Sequence, residues 1–102
     1  LAIGGEVYVL VAYDVATSDA GGARRLRRVA KICTEYGQRV QCSVFECLVD
    51  PAQYELLKHR LEKVIDGEMD SLRMYNLGKN WKGRVEKLGV DRSYDPEGLL
   101  LI

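Results

Sequence analysis

Residues 7–13 read Val-Tyr-Val-Leu-Val-Ala-Tyr (VYVLVAY), and Asp14 follows directly. β-Branched and aromatic side chains favour extended chain. The run is apolar at both parities, which is the pattern of a strand buried on both faces. It therefore predicts a central strand that ends at an acid. The connection after it, VATSDAGG (15–22), is rich in Ser, Asp and Gly, and reads as an irregular loop open to a phosphate.

Beyond that loop, residues 23–36 have helical spacing. Leu26, Val29, Ala30, Cys33 and Tyr36 fall on one side, and Arg24, Arg27, Arg28 and Lys31 on the other. Gly37 is placed to stop the helix as a C′ glycine. The next run, RVQCSVFECLV (39–49), is β-rich but longer than a strand of about five or six residues. No Gly, Pro or Asn marks a turn inside it, so the pattern fits one bent strand or a tight hairpin equally. Asp50 then caps a second helix, with Pro51 at its first position and Gln53 completing a capping box. Tyr54, Leu57, Leu61, Val64 and Ile65 form its apolar stripe, and Gly67 closes it. SLRMYNL (71–77) alternates as a strand with Leu72 and Met74 on one face. WKGRVEKL (81–88) is a weaker strand, Asp95-Pro96 a turn, and LLLI (99–102) a terminal strand.

Strands separated by helices of this length predict an α+β fold. The arrangement expected is a ferredoxin-like βαββαβ sandwich: an antiparallel sheet, two helices on one face, and an extra C-terminal strand. Residues 1–6 (LAIGGE) read as a vector-derived lead and 7–102 as a single domain.

Composition narrows the function. Of 102 residues, 47% are apolar and 29% charged, which suits a folded domain and not a disordered chain. No signal peptide is evident, so a cytoplasmic location is expected. Cys33, Cys42 and Cys47 are odd in number and form no Cys-x-x-Cys pair, so they read as buried, reduced thiols. His59 is the single histidine, on a polar helix side, and builds no triad. Net charge is zero, yet residues 24–41 hold six cations (Arg24, Arg25, Arg27, Arg28, Lys31, Arg39) against Glu35 alone. A solvated face is the ordinary explanation of such a run. Here the arginines lack acidic neighbours one turn away, with Glu35 after Lys31 the one such acid in the run, and arginine forks suit phosphate.

An assembly follows from parity. With both helices on one sheet face, Tyr8, Leu10, Ala12 and Phe45 fall on the other, which a chain this short cannot cover. A second copy supplies the cover, and residues 99–102 a strand for a neighbour's sheet edge. Asp14 shares the parity of Tyr8, Leu10 and Ala12. Its two copies then approach each other across a two-fold axis. Alone, a strand-end Asp usually just caps a loop. Paired, two carboxylates suit Mg²⁺, which takes one or two protein carboxylates and keeps its waters. Asp19 reads as solvated loop.

YVLVAYDV (8–15), RRLRRVAKICTEYG (24–37), RVQCSVFEC (39–47), the helix after Asp50-Pro51 and DSLRMYNLG (70–78) together resemble the CRISPR-associated protein two family. Tyr13-Asp14 and the segment from Gln41 to Glu46 are the most specific pieces. The resemblance implies a ferredoxin-like homodimer with a Mg²⁺-dependent (or Mn²⁺-dependent) endonuclease role on RNA or duplex DNA. It implies Asp14 as the catalytic, metal-binding aspartate. It also implies a complex with the CRISPR integrase, protein one, in spacer acquisition. The family's early helix-one basic residues fall on Arg24, Arg25 or Arg28, and Arg39, Ser43 and Phe45 match its second-strand motif, all as nucleic-acid contacts. The loop VATSDAGGA is longer and richer in Gly than the short acidic loop of many members. Four functions compete: a metal-dependent phosphodiesterase, a non-catalytic DNA-bridging scaffold, a toxin-type ribonuclease resembling the virulence-associated D family, and a ligand-sensing module.

Overall fold

The structure is a computed structural model, and it describes residues 6–18 and 20–89. Its elements run β1 (Val7–Asp14), α1 (Ala20–Tyr36), β2 (Gly37–Gln41), β3 (Val44–Val49), α2 (Pro51–Val64), β4 (Ser71–Gly78) and a short 3₁₀ turn, Trp81–Gly83. The four strands form one antiparallel sheet in the order β2-β3-β1-β4. Two helices pack on one face, so the fold is the ferredoxin-like α+β sandwich. The expected C-terminal strand, residues 99–102, and the turn at 95–96 lie outside the described residues, as does Asp19.

β1 takes a central place because both its parities are apolar. Val9, Val11 and Tyr13 pack under the helices with Phe45, Cys47 and Val49 of β3. Val29, Ile32 and Cys33 of α1 and Leu57 and Leu61 of α2 close that core. Burial pushes the Cys33 thiol up to about 12 and that of Cys47 to about 11, so both stay protonated at neutral pH. Cys42 departs from the expectation of three buried thiols. It lies in a turn and is exposed.

Residues 39–49 resolve as a hairpin. Cys42 and Ser43 form the two-residue turn between β2 and β3. This corrects the placing of Phe45. Its register partner is Val11, a core residue, so Phe45 faces the helices and is 1% exposed. Parity carried through from Val40 breaks at the turn. Within β3 alone, the face bearing Glu46 is the open one.

α1 begins at Ala20, so Gly21 and Gly22 lie inside its first turn and not before it. Gly37 is no left-handed C′ residue, for only Gly78 and Gly89 have positive φ among the described glycines. It opens β2, and a Cβ there would lie 1.9 Å from the Glu46 carbonyl oxygen. Close approach of β2 to β3 is what requires a glycine. The capping box of α2 forms as expected: Gln53 N–H donates to Asp50 Oδ1 (2.7 Å), and Asp50 N–H donates to Gln53 Oε1 (2.9 Å).

Residues 81–88 do not form a strand. Gly78 turns the chain, and Trp81 folds back to stack on Tyr8 with ring centroids 5.1 Å apart. The chain thus covers one end of its own open sheet face. The Tyr8 hydroxyl donates to Glu46 Oε2 beside it, and burial, then this bond, raises its pKa well above the usual phenol value.

Candidate metal and nucleic-acid site

Asp14 is the last residue of β1, and its side chain is exposed. Its strand partner on β4 is Ser71. On the β3 side, the Tyr13 N–H donates to the Ser43 carbonyl (3.1 Å), which draws the hairpin turn against this end of β1. Arg39 faces Phe45 across β2 and β3, with its guanidinium carbon 5.2 Å from the ring centroid. It also opposes the burial that pushes the Tyr13 hydroxyl up to about 12. Asp14 and Ser43 thus lie at one end of the sheet, with Asp14 on the open face and Arg39 on the helix face beside Phe45 and Tyr13.

Phe45 belongs to this neighbourhood only from beneath. Buried at 1%, it offers no ring face to a base. Its work is to support Tyr13 (ring centroids 6.2 Å apart) and to carry Arg39.

The three helix-one arginines have different fates. Arg24 and Arg28 are exposed and make no ion pair among the described residues. Arg28 lines a groove between α1 and α2 with Lys31 and Lys63. Arg25 turns inward instead. Its Nε donates to Asp70 Oδ2 (2.8 Å), and Nη2 to Asp70 Oδ1 (3.3 Å). Nothing in the sequence singles out Asp70, because 45 residues separate it from Arg25 and no local pattern links them. Its side chain is closed off from solvent. Arg25, with the Asp66 and Ala16 N–H groups, holds the Asp70 carboxyl below the usual carboxylate range.

Among the described residues, no three His, Cys, Asp or Glu side chains cluster to hold a metal. One chain supplies a single exposed carboxylate at Asp14. That set does not suit Zn²⁺, which takes four nitrogen or sulfur ligands in structural sites. It suits Mg²⁺ or Mn²⁺ when two copies bring two carboxylates together, since Mg²⁺ draws its other ligands from water and phosphate.

The family model described as CRISPR associated protein Cas2 matches residues 7–85. The chain belongs to the Cas2 family. A relative from Nitratidesulfovibrio vulgaris named CRISPR-associated endoribonuclease Cas2 is 60% identical over 94 residues, covering 92% of each chain. One from Halalkalibacterium halodurans, named CRISPR-associated endonuclease Cas2, is 56% identical over 93 residues, covering 91% of this chain and 97% of its own. The crystal structure of Streptococcus pyogenes Cas2 at pH 6.5 matches with a TM-score of 0.70 at 60% identity, over 80% of this chain and 99% of that one. Membership of Cas2 sets aside the toxin-type ribonuclease and the ligand-sensing readings. No helix among the described residues is long and apolar enough to cross a membrane.

Proposed function

We propose that this Cas2 protein is a metal-dependent endonuclease of CRISPR spacer acquisition, acting on RNA or duplex DNA as a homodimer alongside the CRISPR integrase. The observation that carries the reading is the exposed carboxylate of Asp14 on the sheet face opposite the helices. Nuclease names among close relatives, for RNA in one and without restriction in another, support the chemistry. Two copies of Asp14 across a dimer axis would hold Mg²⁺ or Mn²⁺. When bound, such an ion supplies charge neutralisation and an acidified water at the scissile phosphate. The chain's own part is to hold the carboxylate in place and to steer the phosphate backbone through Arg24 and Arg28, with Arg39 and Ser43 at the sheet end.

A second reading, a DNA-bridging scaffold without catalysis, is favoured by one observation. Among the described residues, a single chain brings one carboxylate to this place and no cluster of three.

Cleavage of RNA and duplex DNA with Mg²⁺ or Mn²⁺, over a range of pH, separates the two. The parent is expected to cut, and Asp14→Asn to lose cutting while keeping its duplex affinity. Full metal-dependent cleavage by Asp14→Asn would remove Asp14 from the chemistry. A parent that bridges DNA with its integrase but cuts nothing establishes the scaffold.

A further inference from the structure

The backbone just past Asp14 is held from three sides. Val15 is buried, and the Ala16 N–H donates to Asp70 Oδ1 (3.1 Å). The Ala16 carbonyl accepts from Arg25 Nη2 (3.4 Å). Asp70 Oδ2 also accepts the Asp66 N–H (2.8 Å), which fixes the turn between α2 and β4. The first turn of α1 presses in as well, since a Cβ on Gly22 would lie 1.9 Å from the Ala16 carbonyl oxygen. A carboxylate shut away from water is costly unless its lone pairs are filled. Here a guanidinium and two backbone N–H groups fill them.

The place of this clamp gives it a use beyond holding the fold. Asp70 is the covalent neighbour of Ser71, which pairs with Asp14 across β4 and β1. It is also hydrogen-bonded to Ala16, two residues beyond Asp14. Asp14 is thus bracketed along its own chain and across the sheet by groups that one side chain controls. Arg25, on the same clamp, ties in the helix that bears Arg24 and Arg28.

We propose that Asp70, braced by Arg25, is a positioning residue for the Asp14 metal centre: it sets where the Asp14 carboxylate stands without touching metal or nucleic acid. The proposal rests on the reading of Asp14 as a metal ligand. Groups hydrogen-bonded to a metal ligand from behind are worth about 10–100-fold in metal affinity, and Asp70 acts one step further back, through the backbone beyond Asp14 and the strand beside it. A carboxylate at the end of a strand, with an irregular loop after it, has little else to fix it.

The test measures Mn²⁺ binding by electron paramagnetic resonance on the full chain, beside the Mg²⁺ dependence of cleavage and duplex affinity. Asp70→Asn keeps the side-chain volume and is expected to weaken Mn²⁺ several-fold, up to the lower end of the range for groups that touch the ligand, about ten-fold. The Mg²⁺ needed for half-maximal cleavage should rise by the same factor, with duplex affinity unchanged. Arg25→Lys keeps a cation against Asp70 but loses the two-pronged grip, and should fall between parent and Asp70→Asn. Leu61→Val, a core change far along the chain, serves as a control for general loss of stability and should bind Mn²⁺ as the parent does. Asp70→Asn binding Mn²⁺ like the parent overturns the proposal, and so does Leu61→Val weakening it equally. If Asp70→Asn does not fold, Arg25→Lys decides on the same criterion. Asp14→Asn is expected to bind no Mn²⁺. Should it bind like the parent, the reading of Asp14 falls and takes the positioning role with it.

Discussion

Phe45 packs between the sheet and the helices, stacked near Tyr13 with the Arg39 guanidinium over its ring. Removing a ring from such a site leaves a cavity, so Phe45→Ala should cost about 3–5 kcal/mol in urea unfolding. Phe45→Leu keeps most of the volume and should cost far less. Duplex affinity per folded molecule should survive Phe45→Leu, because the ring is covered. A loss of affinity without loss of stability would return Phe45 to the nucleic-acid surface. The residue scale is where sequence is least legible. Val44 and Phe45 are both apolar, so either could face inward. Glu46 breaks the tie, since it makes the face of Val44, Glu46 and Leu48 the wet one. The fate of Arg25 has no such signal. It looks like its neighbours Arg24, Arg27 and Arg28, and only its distant partner Asp70 distinguishes it.

Elements with strong local chemistry read true. β1 follows from apolar residues at both parities, α2 from its capping box, and β4 from alternation. The elements that depend on distant partners do not. The 3₁₀ turn at Trp81–Gly83 exists where the pattern predicts a strand, with Trp81 packed on Tyr8, more than seventy positions earlier. Gly37 looks like a helix stop because it follows Tyr36, the last residue of α1. Its actual constraint comes from the Glu46 carbonyl on the neighbouring strand β3. That difference is testable. A C′ glycine in the left-handed region would tolerate Asn, whose short polar side chain visits that conformation. A glycine required by close approach tolerates neither Asn nor Ala. Both Gly37→Ala and Gly37→Asn should destabilise by about 1–3 kcal/mol or more, because backbone must shift to admit a Cβ. Chemical unfolding of the two variants beside the parent checks this. Stability retained by Gly37→Asn alone would restore the helix-stop role.

At the scale of the molecule, the sheet face away from the helices is only partly dressed. Tyr8 is covered by Trp81, but Leu48 is 42% exposed and Tyr75 43%, with Leu10, Ala12 and Val44 half-buried among them. Glu46 and Arg73 share the face, so it is mixed and not greasy throughout. A second copy laid on it would bury the apolar side chains near the sheet centre and bring the two Asp14 carboxylates towards one another. It would also double the set of arginines offered to a duplex. Assembly and binding should then be linked. In light scattering at micromolar concentration the chain is expected at twice its monomer mass, and deletion of residues 99–102 should lower that mass. The same deletion should weaken duplex binding, because a monomer presents one set of Arg24 and Arg28 where the dimer presents two. Salt identifies the contribution of the arginines. Every phosphate that is no longer neutralised should reduce the slope of log affinity against log salt by about 0.9 for duplex DNA. Arg24→Ala with Arg28→Ala should flatten that slope in the dimer, alike for every duplex sequence. Lys31 and Lys63 share the groove beside Arg28 with Glu35 and its ion-pair partner Arg60. A monomer at that concentration, binding duplex as tightly as the intact chain and with the same slope, would separate assembly from binding and leave the open face without its second copy.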